Sequence, residues 1–217
     1  MFHKFIPAFK RYNDMAIENV LVLYQDQSTI FPREGNHPCS EEANMFWKEY
    51  ELGQYLNIDK YSNYLPKLIK SLKKEQNSLI ILCSSYFWRN FQHIAMNLEE
   101  HYFSDNTWLL IDPIPQSNLN PEEALESKFE TSDFKVVNKI KLNSQIYIFQ
   151  RYSYHSAIYE IYSPCPMPKL TTKKFINLTN KNEIFSKPNY IWERRQNLTG
   201  CEITVGYVDQ PYGPFEI

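Results

Sequence analysis

Between Leu79 and Ile111 the chain leaves little choice of fold. Leu79-Ile80-Ile81-Leu82-Cys83 and Trp108-Leu109-Leu110-Ile111 are apolar without polar alternation, the pattern of strands covered on both faces. From Tyr86 to Phe103, Phe87, Phe91, Ile94, Leu98 and Tyr102 recur at helical spacing, which gives a helix one apolar stripe. Ser84 and Ser85 stand where that helix needs an N-terminal cap. Strand, helix and strand in this order form a βαβ unit with parallel strands and a right-handed crossover. A domain built around it is α/β, with an open, largely parallel sheet and flanking helices.

The surrounding segments extend this reading in both directions. Glu18 to Tyr24 is dense in Val and Leu and reads as a first strand. Ser40-Glu41-Glu42 combines a capping hydroxyl with acids in a first turn, which predicts a helix running to Leu56. A second helix is expected from Ser62 or Asn63, with Pro66 in its first turn and Leu65, Leu68, Ile69 and Leu72 on one face. After Asp112 the Pro- and Asn-rich stretch reads as a loop, followed by a short helix over residues 121–129. Strands are predicted at Phe134–Ile140, Gln145–Gln150 and Ile158–Tyr162. The tract Ser163-Pro164-Cys165-Pro166-Met167-Pro168 suits neither a helix nor a central strand. We therefore place a first domain at residues 1–163, a linker at 164–197 and the start of a second domain at 198–217. In that last segment Cys201, Ile203, Val205 and Tyr207 alternate with their neighbours as one strand does, and the turn-rich Asp209 to Phe215 follows.

Several chemistries lack their residues. With 25 acidic and 23 basic side chains and a formal charge of −2, no basic footprint for nucleic acid or an anionic membrane exists. No apolar run approaches the roughly 18 residues that span a bilayer, and Pro7, Lys10 and Arg11 interrupt the N-terminus before a secretory apolar core can form. Five glycines, none at the Cys83-Ser84-Ser85 turn, argue against a phosphate-cradling loop or a nucleophile elbow. Cys83 or Ser84 as a nucleophile is the weaker reading beside Ser84 or Ser85 as a cap and Cys83 as a small core residue. The histidines, with His93 and His101 on the polar side of the long helix, have no ligand spacing, and the adjacent pairs Glu41-Glu42, Glu99-Glu100 and Glu122-Glu123 point to different helix faces. We expect no enzyme activity, no metal and no cofactor. Cys39, Cys83, Cys165 and Cys201 lack CxxC spacing and permit two disulfides in any of three connectivities, or four thiols. Asn177-Leu178-Thr179 and Asn197-Leu198-Thr199 are N-glycan acceptors if the chain is secreted.

One stretch carries a family likeness. Trp192, Glu193, Arg194, Arg195, Asn197, Leu198 and Gly200, then a strand through Val205 and a loop with Pro214 and Phe215, resemble the junction leading into the ligand-binding domain of insect ionotropic receptors. These are chemosensory relatives of ionotropic glutamate receptors. Ile158 to Tyr162 resembles the stretch found before that junction, so the likeness covers about the last 60 residues. It implies a first domain that is half of a periplasmic-binding-protein-like module, followed by the first strand of a second α/β domain. It further implies an extracellular, glycosylated part of a ligand-gated cation channel subunit at the plasma membrane. The full-length receptor would take a small chemical ligand, assemble with other subunits including a co-receptor, and meet the membrane through segments downstream. Asp209, Pro214 and Phe215 would belong to the first pocket loop, while Arg194 and Arg195 read as linker surface charges. The alternative is a freestanding soluble α/β binding or interaction module.

Overall fold

The computed structural model describes residues 19–25, 53–61, 63–72, 78–84, 86–116, 136–152, 156–165 and 170–178, with Arg195 and Cys201. Among them lies one seven-stranded sheet: β1 (Asn19–Tyr24), β2 (Gly53–Asn57), β3 (Ser78–Cys83), β4 (Asn106–Gln116), β5 (Ile146–Tyr152), β6 (Ser156–Tyr162) and β7 (Thr171–Leu178). The spatial order is β2-β1-β3-β4-β5-β6-β7. From β2 to β5 every neighbouring pair is parallel, whereas β5-β6 and β6-β7 are antiparallel. The open, mostly parallel α/β sheet expected from the βαβ unit is therefore present.

Apolar residues cover both faces of the central strands. Leu21, Leu23, Ile80, Leu82, Trp108, Leu110, Ile146 and Ile148 point to one face, packed under helices. Val20, Val22, Leu79, Ile81, Leu109, Ile111, Tyr147 and Phe149 point to the other and are equally buried. Strands of this kind show no alternation because neither face meets water. The helical layer over the first face contains α1 (Ile58–Tyr61), α2 (Leu65–Ser71) and α3 (Phe87–Met96). Pro66 sits in the first turn of α2, and Leu65 and Ile69 are fully buried there. From α3, Phe91 meets Trp108 at 5.5 Å and Phe103 at 6.0 Å between ring centroids, both edge-on, the geometry that the ring quadrupole favours.

Four segments differ from the sequence expectation. The helix expected through Leu56 gives way at Gly53 to edge strand β2, which takes five parallel pairs from β1; residues 40–52 lie outside the described set. Backbone pairing along a buried neighbour outweighs the helical pattern there, and glycine is a poor helix former. The loop expected after Asp112 is instead a continuation of β4 to Gln116, with a register shift between Asp112 and Gln116. Pro113 and Pro115 fall beyond Ile111, where pairing with β3 has ended, so their missing N–H groups cost no ladder bond on that side. Val136 to Ile140 holds a 3-10 turn, Val137–Lys139, rather than a strand. Its two apolar residues, Val136 and Ile140, are buried four apart, a spacing that one helical turn satisfies as well as an extended chain. Finally, the stretch read as linker contributes β7, paired along its length with β6.

The long helix also stops earlier than Phe103. It ends at Met96 and resumes as a 3-10 turn over Glu100–Phe103. The Lys139 ammonium sits at the break, donating to the carbonyls of Ala95 (3.2 Å), Met96 (2.7 Å) and Leu98 (2.7 Å). A cation there answers the negative end of the helix dipole and adds a donor at the last carbonyls. Lys139→Met is expected to lower stability by about 1–2 kcal/mol in urea denaturation, while Lys139→Arg retains most of it; equal midpoints for wild type and Lys139→Met would rule the staple unimportant.

Candidate functional site

In the parallel part of the sheet β1 has β2 on one side and β3 on the other, so the chain turns in opposite directions after β1 and after its neighbours. Open α/β sheets bind ligands in the crevice that this divergence leaves at the strands' carboxyl ends. Here three polar residues converge on that point. Gln25 follows β1 directly, Ser84 follows β3 directly, and Asn90 lies in the first turns of α3. The ladder extends through two of them, the Gln25 amide donating to the Cys83 carbonyl at 3.3 Å and the Ser84 amide to that of Ile111 at 3.4 Å.

Their side chains form a closed ring of hydrogen bonds. The Ser84 hydroxyl donates to Gln25 Oε1 at 2.7 Å, and Asn90 Nδ2 donates to Gln25 Oε1 at 2.9 Å and to Ser84 Oγ at 2.9 Å. Gln25 Nε2 reaches Asp59 Oδ1 at 3.1 Å, at the start of α1. Ser84 Oγ also accepts the backbone N–H of Tyr86 at 3.0 Å, a serine turn that leads into the helix. Ser84 thus serves the helix start from two residues before Tyr86, the formal cap; Ser85 is outside the described residues. Beside the ring a cleft of about 660 Å³ runs along the solvent side of α3, lined by Gln25, Tyr86, Arg89, Asn90, His93 and Met96.

The structure sorts the sequence candidates. Cys83 is disulfide-bonded and offers no thiol, and the Ser84 hydroxyl is spent on amides. His93 is exposed on α3 as expected, whereas His101 is half-buried in the 3-10 turn, stacked on Tyr102 at 4.1 Å and 3.5 Å from Glu99. Among the described residues no His, Cys, Asp and Glu cluster could hold a metal, and no helix is long and apolar enough to cross a membrane. Asn177 lies on β7, the outermost strand in the order; Asn197, Asp209, Pro214 and Phe215 are outside the described residues. Gln25, Asp59 and Asn90 were not singled out by the sequence. Their signal was position, immediately after parallel strands or within the first turns of the following helix.

A second constellation corrects the reading of Arg195 as a surface charge. Arg195 and Glu160 are both almost fully buried, and Arg195 Nη2 lies 3.3 Å from Glu160 Oε2. Arg195 Nη1 donates to the carbonyls of Leu142 and Ser144, the latter at 2.9 Å, and the guanidinium stacks over Tyr162 at 4.4 Å. Nearby, Cys165 and Cys201 are joined by a disulfide across 36 residues. Among the described residues no cysteine is free. The missed signal was Glu160 itself, a charge inside a buried apolar strand, which requires a counter-charge.

No protein family, curated protein or solved structure matches the chain.

Two substitutions separate these constellations. Ser84→Ala leaves Gln25, Asn90 and the Tyr86 amide short of a partner and is expected to destabilise by about 1–3 kcal/mol in denaturant titration; a loss under a few tenths would show the ring to be dispensable. Arg195→Met strands the Glu160 carboxylate and is expected to lose about 3–5 kcal/mol, part of which Arg195→Met with Glu160→Met recovers. No recovery in the double variant would mean that the carbonyl contacts, not the charge pair, carry the effect.

Proposed function

We propose that this chain is the extracellular amino-terminal part of an insect ionotropic receptor subunit, a chemosensory ligand-gated cation channel whose pore belongs to the parent receptor. The observation that carries the reading is the joining of the two stretches that bear the family likeness. Glu160 lies in the first and Arg195 in the second, and they form a buried ion pair. The disulfide between Cys165 and Cys201 closes the same connection. A junction bolted to the sheet of the preceding domain suits a receptor that transmits movement between extracellular domains, since a slack linker transmits none. Disulfide bonding of Cys83 as well as of Cys165 and Cys201 supports an oxidising compartment.

The switch-point cleft favours a second reading, a freestanding α/β binding module. Reading the parent transcript beyond codon 217 separates the two: a stop with no apolar segment of roughly 20 residues removes the channel and leaves the module. In the receptor reading the chain, secreted from insect cells behind a leader peptide, is expected to carry two endoglycosidase-sensitive glycans. One is lost in Asn177→Gln and the other in Asn197→Gln. The same protein should migrate differently before and after reduction; unglycosylated, unbridged protein would count against an extracellular location.

A further inference from the structure

The outer face of α3 is unusual in its charges. Tyr86, Arg89, His93 and Met96 follow one another at steps of three or four residues, so they form one stripe about 15 Å long. Arg89 and His93 are neighbours on that stripe and repel when both are charged, since like charges at this spacing disfavour a helix. Neither side chain is paired with a carboxylate among the described residues. No acidic residue lines the cleft among those described; Asp59, which accepts from Gln25, is outside the lining. The stripe begins at the amino end of a ten-residue helix, where the aligned peptide dipoles add positive potential. The cleft lining also includes large apolar side chains left in water, Tyr86 with 58% and Met96 with 49% of its surface exposed.

We propose that the cleft at the β1/β3 switch point binds a small amphipathic organic acid. Its carboxylate lies between Arg89 and His93, and its apolar body rests on Tyr86 or Met96. Arg89 supplies a planar pair of donors suited to a carboxylate, and the Gln25 and Asn90 amides border the same space. The ring of Gln25, Ser84 and Asn90 positions the cleft wall without spending its bonds on the ligand. The proposal is independent of the receptor reading, since it concerns the cleft alone and holds for a freestanding module as well.

The test uses the full 217-residue chain, secreted and disulfide-bonded, and benzoate as the probe, with benzylamine and benzyl alcohol as partners of matched shape and different charge. Titration calorimetry is expected to show saturable benzoate binding, with the side-chain NMR signals of Arg89 and His93 moving along the same isotherm. Arg89→Ala, an exposed position whose melting temperature should stay unchanged, is expected to weaken benzoate about tenfold, the loss expected of one charge-assisted hydrogen bond. Arg89→Lys should recover part of it. Met96→Ser is expected to weaken benzoate but not acetate if the apolar body uses that side chain, and Tyr86→Ser if it uses the other. Equal binding of benzylamine or benzyl alcohol, no saturable benzoate binding, or an unaltered affinity in Arg89→Ala would each overturn the proposal.

Discussion

A carboxylate in the middle of a strand buried on both faces must be answered from elsewhere in the chain, and for Glu160 the answer comes from Arg195, 35 residues on. Taking either charge out of water alone costs several kcal/mol, and the attraction in a dry interior repays this only when the remaining donors are also used. Here Arg195 Nη1 holds the carbonyls of Leu142 and Ser144, just before β5, and the guanidinium covers the ring of Tyr162 at the end of β6. One side chain therefore ties the approach to β5 to the centre and end of β6. This is a demand for a unique arrangement more than a source of net stability, because a pair of apolar residues could fill the same space.

The other half of the sheet is organised by a different constraint. Parallel strands put their carboxyl ends on one side, and where the order passes from β2-β1 to β1-β3 the following segments part. Gln25, Ser84, Asn90 and Asp59 close that gap with side-chain hydrogen bonds to one another, and Ser84 also accepts the Tyr86 amide. The cleft beside them is thus a product of strand order. Its chemical character is a product of α3, whose inner face supplies Phe87, Phe91, Ile94 and Ala95 to the core and whose outer face is left to define what the cleft attracts.

How much of this was legible follows from which physical signals are local. The βαβ unit was readable because burial on both faces erases alternation in Leu79–Cys83 and Trp108–Ile111, and because one helical stripe is continuous between them. Where the deciding contact lay far away, the reading failed. Val136 and Ile140 fit either a strand or a turn until Lys139 is seen to cap α3. Pro113 and Pro115 suggest a loop until β4 is seen to outrun β3. Arg195 looks like a surface charge until Glu160 is placed opposite it. The cleft was hidden for a related reason: strand order, which no local pattern encodes, decides where the chain diverges. The pairing of Cys165 with Cys201 was one of several allowed connectivities, and only the return of the chain to the end of β6 selects it.

That disulfide also sets the path of mechanical load. It joins Cys201 to Cys165, three residues past the end of β6, and so bypasses β7 altogether. Tension arriving at Cys201 is delivered to β6, a strand hydrogen-bonded to neighbours on both sides. Such a strand cannot be peeled away one bond at a time from a free edge; its ladders must yield together. Among the described strands the outermost one on this side, β7, lies off that path.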